Sequence, residues 1–220
     1  MKSELSMTLK VNEIFHSIQG ESTYAGLACV FVRLTGCNLR CRYCDTRYAY
    51  HEGHDLPLTE IIEQVDSFGC NLVEITGGEP LLQENTPELV NRLLAKSYQV
   101  LMETNGSMDI DRVDSRCIRI MDIKCPSSGE DHQNDWSNLD RLSNKDQIKF
   151  VIGDRDDFRF ACKTLQRLPN GFPAGQILFS PHYDRLQLDH LAQWIIEART
   201  AARMQMQMHK VIWPHRDRGV

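Results

Sequence analysis

Six short apolar runs, at residues 28–34, 72–76, 99–103, 117–123, 147–152 and 176–180, are rich in β-branched side chains and bounded by Gly, Pro, Asn or Ser. Runs of that length and make-up predict strands. Between several of them the apolar spacing changes from two residues to three or four. Leu58, Ile61, Ile62 and Val65 form one such stripe and Leu188, Leu191, Ile195 and Ala198 a second. Leu89, Val90, Leu93 and Leu94 form a third, behind Thr86 as N-cap and Pro87 at the first helical position. Strands alternating with helices build parallel βαβ units, because a parallel neighbour is reached only by a crossover about as long as a helix. Six or seven units fall short of the eight that close a full barrel. The expected fold is α/β, a partial, open βα barrel of about six parallel strands, in a single domain over residues 1–220.

Residues 11–18 and 204–208 are candidates for further strands, and alternation of Met204, Met206 and Met208 with Gln205 and Gln207 suggests that the methionines pack in the core. The polar stretch 127–144 reads as an insertion or a mobile loop. Open sheet edges favour a dimer or covering segments.

A hydrophobic share of 41% with 25% charged residues supports a sizeable core. The formal charge of −5, with no Lys or Arg run beside aromatics, argues against nucleic acid as a partner. Residues 1–6 have no apolar segment behind their charges, and no stretch approaches the ~18 apolar residues that span a bilayer, so a cytoplasmic protein without membrane contact is expected. Eight cysteines in such a setting point to metal or redox chemistry rather than disulfides.

Three of the eight lie in Cys37-Asn38-Leu39-Arg40-Cys41-Arg42-Tyr43-Cys44, directly after the first apolar run. Loops at the C-terminal ends of barrel strands carry the active site. Three thiolates on a four-iron cluster leave one iron open to another ligand. The competing reading is zinc, held by the Cys41/Cys44 pair, Cys37 and either His51 or His54. Cys29, Cys70, Cys117 and Cys162 sit in or beside apolar runs and read as small buried hydrophobes, with Cys125 also assigned to packing. His51, His54, His132 and His215 otherwise read as solvated.

The CxxxCxxC motif, with an aromatic at Tyr43, resembles the signature of the radical S-adenosylmethionine superfamily, and Thr76-Gly77-Gly78-Glu79-Pro80 resembles its GGEP element. Further segments resemble the 7-carboxy-7-deazaguanine synthases, radical enzymes of the deazapurine route to queuosine. They include residues 12–21 with Gln19-Gly20-Glu21, residues 31–37, Cys44-Asp45-Thr46, Glu103-Thr104-Asn105-Gly106, Asp122-Ile123-Lys124-Cys125-Pro126 and His209-Lys210.

The resemblance implies a carbon–nitrogen lyase that rearranges 6-carboxy-5,6,7,8-tetrahydropterin to 7-carboxy-7-deazaguanine with loss of ammonia. It implies a 4Fe-4S cluster on Cys37, Cys41 and Cys44, and Mg²⁺ on Thr46. S-adenosylmethionine contacts fall on Tyr43, Cys44, Asp45, Gly78, Asp122, Ile123, Lys124 and Ser180, and substrate contacts on Ile18, Gln19, Gly20, Arg33 and Thr76. The cluster and cofactor carry the chemistry, so no side chain is assigned a catalytic role. An electron donor such as flavodoxin or ferredoxin is implied, as is a homodimer. Some members have Ser-Pro-Lys in place of Asp122-Ile123-Lys124. A proline near the family's C-terminus touches substrate, and residues 211–220 of this chain hold Pro214. Two other functions share parts of the pattern: a glycyl-radical activase, and a non-catalytic zinc or electron-transfer module.

Overall fold

The computed structural model describes residues 7–220; residues 1–6, the place for a leader segment, lie outside the described residues. The strands are β1 (Thr8–Ile18), β2 (Ala28–Leu34), β3 (His54–Pro57), β4 (Leu72–Gly77), β5 (Gln99–Thr104), β6 (Ile118–Asp122), β7 (Gln147–Ile152), β8 (Ile177–Pro181) and β9 (Arg203–Met204). Helices are α1 (Leu58–Ser67), α2 (Thr86–Ala95), α3 (Asn138–Arg141), α4 (Arg155–Leu165), α5 (Leu188–Ala198) and α6 (Met208–Ile212). One nine-stranded sheet has the order β3-β1-β2-β4-β5-β6-β7-β8-β9. All neighbours from β2 to β9 are parallel and follow chain order, whereas β1 runs antiparallel to both β2 and β3. The sheet ends at β3 and β9 without closing, which is the expected open βα barrel with an antiparallel extension. Among the described residues no helix is long and apolar enough to cross a membrane.

Strand pleating sorts side chains between two faces. Val30, Val32, Leu34, Val73, Ile75, Val100, Met102, Ile148 and Phe150 go to the face covered by helices and form the main core with Leu58, Ile61 and Val65 of α1, and Leu89, Val90 and Leu93 of α2. The alternate residues line the inner face. Toward the strand starts these are apolar: Cys29, Phe31, Leu72, Leu101, Ile118 and Ile120 form a second, smaller cluster. Toward the strand ends they become Arg33, Glu74, Thr76, Glu103, Asp122, Lys149 and Ser180, all lining one cleft.

Several expectations need correction. The methionine stripe fails because β9 stops after two residues, and without a strand no pleat sorts the residues beyond Met204: Gln205 is buried, Met206 is exposed, and Met208 already begins α6. Thr86 does not cap α2. It lies inside the helix, its hydroxyl donates to the Pro80 carbonyl at 2.6 Å, and Asn85 occupies the cap position. In α5 only Leu191 is fully buried; Leu188 and Ala198 are exposed, since the helix lies beside the two-residue edge strand. Residues 127–144 are packed rather than loose. Asn138, fully buried, ties Ile110 N–H and the carbonyls of Gly106 and Met108, while Asn134 bonds both the N–H and the C=O of Lys124. Cys29, Cys117 and Cys125 are fully buried, whereas Cys70 and Cys162 are half-buried at the core's margin.

Candidate active site

Parallel strands in chain order bring all their C-terminal ends to one rim, and the cleft there has a volume of about 660 Å³. Cys37, Cys41 and Cys44 lie on its wall in the loop after β2. That loop is held from both sides. On one side Gly36 C=O accepts from Glu79 N–H at 2.8 Å; on the other, Arg42 N–H donates to the Ser128 carbonyl at 3.0 Å. Gly78 closes the approach, because a Cβ there would run into Gly36 O and come within 2.7 Å of Cys37 Cβ. Only glycine lets the two loops touch.

Glu79 underpins this contact. Its buried carboxyl accepts from Leu81 N–H, Thr104 Oγ1 and Asn105 N–H at 3.0, 2.9 and 2.7 Å, and Asn105 reaches on to Asn38 at 3.1 Å. The GGEP and ETNG segments thus form one brace behind the cysteine loop. Burial pushes the Cys37 thiol up, and the Cys41 thiol up to about 11 despite the nearby Lys124 ammonium. Iron or any other metal binding here must displace those protons.

Among the described residues no three His, Cys, Asp or Glu side chains converge closely enough to hold a single ion. His51 and His54, candidates for a fourth zinc ligand, are exposed and do not line the cleft. The donor set instead suits a cluster with an open corner, since polar atoms without partners face the same space. Tyr43 Oη, Ser180 Oγ, Asp122 Oδ1 and His182 Nδ1 are buried and unpaired, and the Tyr43 and His182 rings lie 5.3 Å apart. Buried polar atoms of this kind call for a ligand or water.

Of the remaining residues singled out in the sequence, Ile18, Gln19, Gly20, Arg33, Asp45, Thr46, Thr76, Gly78, Asp122 and Lys124 line the cleft. Ile123 does not: its side chain is in the main core and its N–H donates to the Lys149 carbonyl, so only its carbonyl side remains for a ligand. Lys124 pairs with Asp122 at 2.7 Å. Asp45, about half exposed, is paired with Lys210 at 3.1 Å, and Lys210 and the Thr46 hydroxyl hold its carboxyl below the ordinary range. Because the Thr46 hydroxyl donates to Asp45 Oδ1 at 2.9 Å, its oxygen lone pairs stay free.

Sequence reading named Glu21, Glu103 and Asp122 but not Lys149 or Glu74, and so missed the charged group they form together on the cleft floor. Lys149 Nζ lies 3.0 Å from Glu21, bonds Glu103, and sits 3.9 Å from Asp122. Glu74, bonded by the Gln19 amide, completes it. Burial, then the neighbouring Glu103, drives the Glu74 carboxyl far above the ordinary range, and burial raises Glu103 as well. Glu21 is lower than usual: burial opposes this, and Lys149, Gln207 and His209 outweigh it. On the far wall His209 and Pro214, both singled out in the sequence, face the cleft beside Gln207 and Trp213, which were not. Gly20 has to be glycine there, since a Cβ would lie 2.6 Å from His209 Nδ1.

A three-cysteine loop braced by a diglycine at the next strand end is the arrangement of the radical S-adenosylmethionine proteins, and the sequence profile described as Radical SAM superfamily matches residues 31–122. The chain is 40% identical over 228 residues to a 7-carboxy-7-deazaguanine synthase from Koribacter versatilis, covering 96% of this chain and 100% of that one. It is 42% identical over 215 residues to one from Chlorobaculum tepidum, covering 96% and 97%. The crystal structure of QueE from Escherichia coli aligns with a TM-score of 0.72 at 20% identity, over 93% of this chain and 96% of that one, a likeness of fold. The chain belongs to the 7-carboxy-7-deazaguanine synthase family.

Proposed function

We propose that this protein is a 7-carboxy-7-deazaguanine synthase, which contracts the ring of 6-carboxy-5,6,7,8-tetrahydropterin with loss of ammonia. The observation that carries the reading is full-length kinship with such synthases together with a cleft that joins the cysteine loop to Arg33 and a carboxyl-rich floor. When bound, a 4Fe-4S cluster and S-adenosylmethionine supply the radical that abstracts hydrogen from the substrate. Cys37, Cys41 and Cys44 hold the iron. Tyr43, Cys44, Asp45, Gly78, Asp122, Lys124 and Ser180, with the Ile123 carbonyl, hold the cofactor.

On the substrate side, Arg33 takes the pterin carboxylate, since a planar fork matches it in two places. The main chain of Ile18 and Gly20, the Gln19 amide and Thr76 position the ring. Glu74 and Glu103 offer acceptors, or donors when protonated, to its amino and lactam edge. Thr46 anchors Mg²⁺: a hydroxyl oxygen suits a hard cation that keeps several waters and takes few protein ligands. Beneath the charged floor, the apolar layer of Phe31, Leu101 and Ile120 keeps water from below. The same reading places the enzyme in the cytoplasm, where thiols stay reduced, as a single-domain homodimer served by a small electron donor such as flavodoxin or ferredoxin.

Anaerobic reconstitution with iron and sulfide, followed by mass analysis of products from S-adenosylmethionine and 6-carboxytetrahydropterin, tests the reading. The expected result is 7-carboxy-7-deazaguanine, with product formation lost in Cys37→Ala, Cys41→Ala and Cys44→Ala. Cofactor cleavage without pterin conversion, or stoichiometric zinc in place of iron, would overturn it. Added Mg²⁺ should raise turnover in the wild type and not in Thr46→Ala; parallel titration curves would remove Thr46 as a ligand.

A further inference from the structure

Beyond α6 the chain turns back across the mouth of the cleft, where Trp213, Pro214, Arg216 and Asp217 line it. Its anchors lie close together around Tyr48. Arg218 Nη2 is 2.7 Å from Glu52 Oε2, and its guanidinium lies 4.1 Å from the centre of the Tyr48 ring. Tyr48 Oη is 3.2 Å from both the Asp217 carbonyl and Glu13 Oε1, so its one proton can serve either. Gly219 N–H donates to Glu13 Oε2 at 3.2 Å. The other oxygen of that same carboxylate accepts from Arg33 Nε at 2.7 Å. Glu13 therefore stands between the tail and Arg33.

Strand register puts it there. Glu13 lies directly opposite Arg33 across the antiparallel β1–β2 pair, just after an irregularity between Val11 and Glu13. Such a bulge re-aims the side chains beside it. With its Nε taken by Glu13 and its plane flanked by Phe15 and Tyr48, 5.6 and 5.9 Å to the ring centres, the Arg33 guanidinium has no other hydrogen bond among the described residues. Both Nη groups are left for a ligand in the cleft. Without Glu13 the side chain would lose the bond that fixes its rotamer, and the tail would lose an anchor in the same step.

We propose that residues 213–219 form a strap over the substrate cleft, and that Glu13 is a positioning residue that joins closure of the strap to the aim of the Arg33 fork. The proposal rests on the reading that Arg33 grips the substrate carboxylate. Substrate on Arg33 then favours the closed strap, and a closed strap tightens substrate binding, as linkage requires. Closure also shuts water out of the cleft.

Hydrogen exchange over residues 213–219, in reconstituted enzyme with and without 6-carboxytetrahydropterin, reads the strap directly. Substrate should slow exchange there in the wild type, and Glu13→Gln and Arg218→Ala should each speed it. The pterin KM should rise about tenfold in Glu13→Gln with kcat little changed, and the double variant should be no worse than Glu13→Gln alone, because both changes cut one link. Wild-type exchange and wild-type KM in Glu13→Gln would overturn the proposal, and so would KM effects that multiply in the double variant.

Iron content and unfolding midpoint check that the variants fold. If Glu13→Gln does not, the exposed Arg218→Ala decides: a freed strap with unchanged KM overturns the coupling. Should the wild type convert no pterin, the functional reading fails on its own, while the exchange of Glu13→Gln still decides whether Glu13 holds the strap.

Discussion

Two buried ionic groups sit on opposite faces of the same sheet, and they are built on different rules. On the helix-covered side, Arg119 and Asp146 pair at 2.7 Å with side-chain exposures of 4% and 0%. Asp146 also accepts from Arg119 N–H, Ser143 N–H and Ser143 Oγ, and Arg119 extends to Asp111 and to the carbonyls of Ile110 and Arg141. Burial alone would raise the Asp146 carboxyl; these bonds more than offset it, and it lies below the ordinary range. In the cleft, Glu21 and Glu103 pair with the one Lys149 ammonium while Glu74 is bonded only by the Gln19 amide, and the Glu74 and Glu103 carboxyls are pushed up. In the first group both carboxylate oxygens of Asp146 and both Nη groups of Arg119 are bonded, and only Arg119 Nε is left without a partner. The second is short of positive charge and of hydrogen-bond donors, as a site made for a donor-bearing ring should be.

Lys149→Met should break the contrast most severely. It strands several buried carboxyls, so a loss of at least about 3–5 kcal/mol in denaturant unfolding at neutral pH is expected, together with loss of turnover. Acid should partly rescue its stability by protonating Glu74 and Glu103. Stability no lower than that of the wild type would show that the cleft carboxyls are already neutral in pairs.

Asp146→Asn should cost about 3 kcal/mol by taking from Arg119 its buried partner and leaving it only the exposed Asp111, yet the folded fraction should turn over substrate at the wild-type rate. A fall in turnover per folded molecule would mean that the outer pair also shapes the site. The two groups should also respond oppositely to pH. The Asp146 contribution is present above the ordinary carboxylate range and is lost as pH falls through its lowered folded value. For Glu74 the contribution is present below that range and is lost as pH rises through its raised folded value. Unfolding curves across pH should therefore show Glu74→Gln gaining on the wild type as pH rises, and Asp146→Asn closing on it as pH falls. At the small end, the exposed Arg159–Asp156 pair, with side chains 71% and 80% exposed, sets the zero of the scale: Arg159→Ala should change stability by no more than about 0.5 kcal/mol in the same assay.

The sheet was legible from sequence because its strands are short, buried and mostly apolar runs bounded by turn residues. β3 was not: His54–Pro57 is four residues long, ends in proline, and is a strand only through pairing with β1. The cysteine loop and its diglycine brace were legible as motifs. Glu74 and Lys149 were hidden inside apolar runs, and Glu103, though part of the Glu103-Thr104-Asn105-Gly106 segment, was given no role. The available signal was parity: Glu74 lies two residues before Thr76 and so shares its face, and Lys149 stands two before Val151, which also lines the cleft. The tail could not be placed at all, because its partners on β1 and near Tyr48 lie far away in sequence.

That distance has a consequence for synthesis. The parallel strands each pair with the one made just before, so the sheet can grow in step with translation. The far wall of the cleft cannot, since Gln207 meets Glu21 across 186 positions and Gly219 meets Glu13 across 206. A nascent chain that has completed β8 already presents Cys37, Cys41 and Cys44 on a braced loop, with one side of their pocket still missing. For that interval the thiols are open to oxidants and to stray metals, and cluster loading before the last dozen residues have folded would take place in an unwalled site.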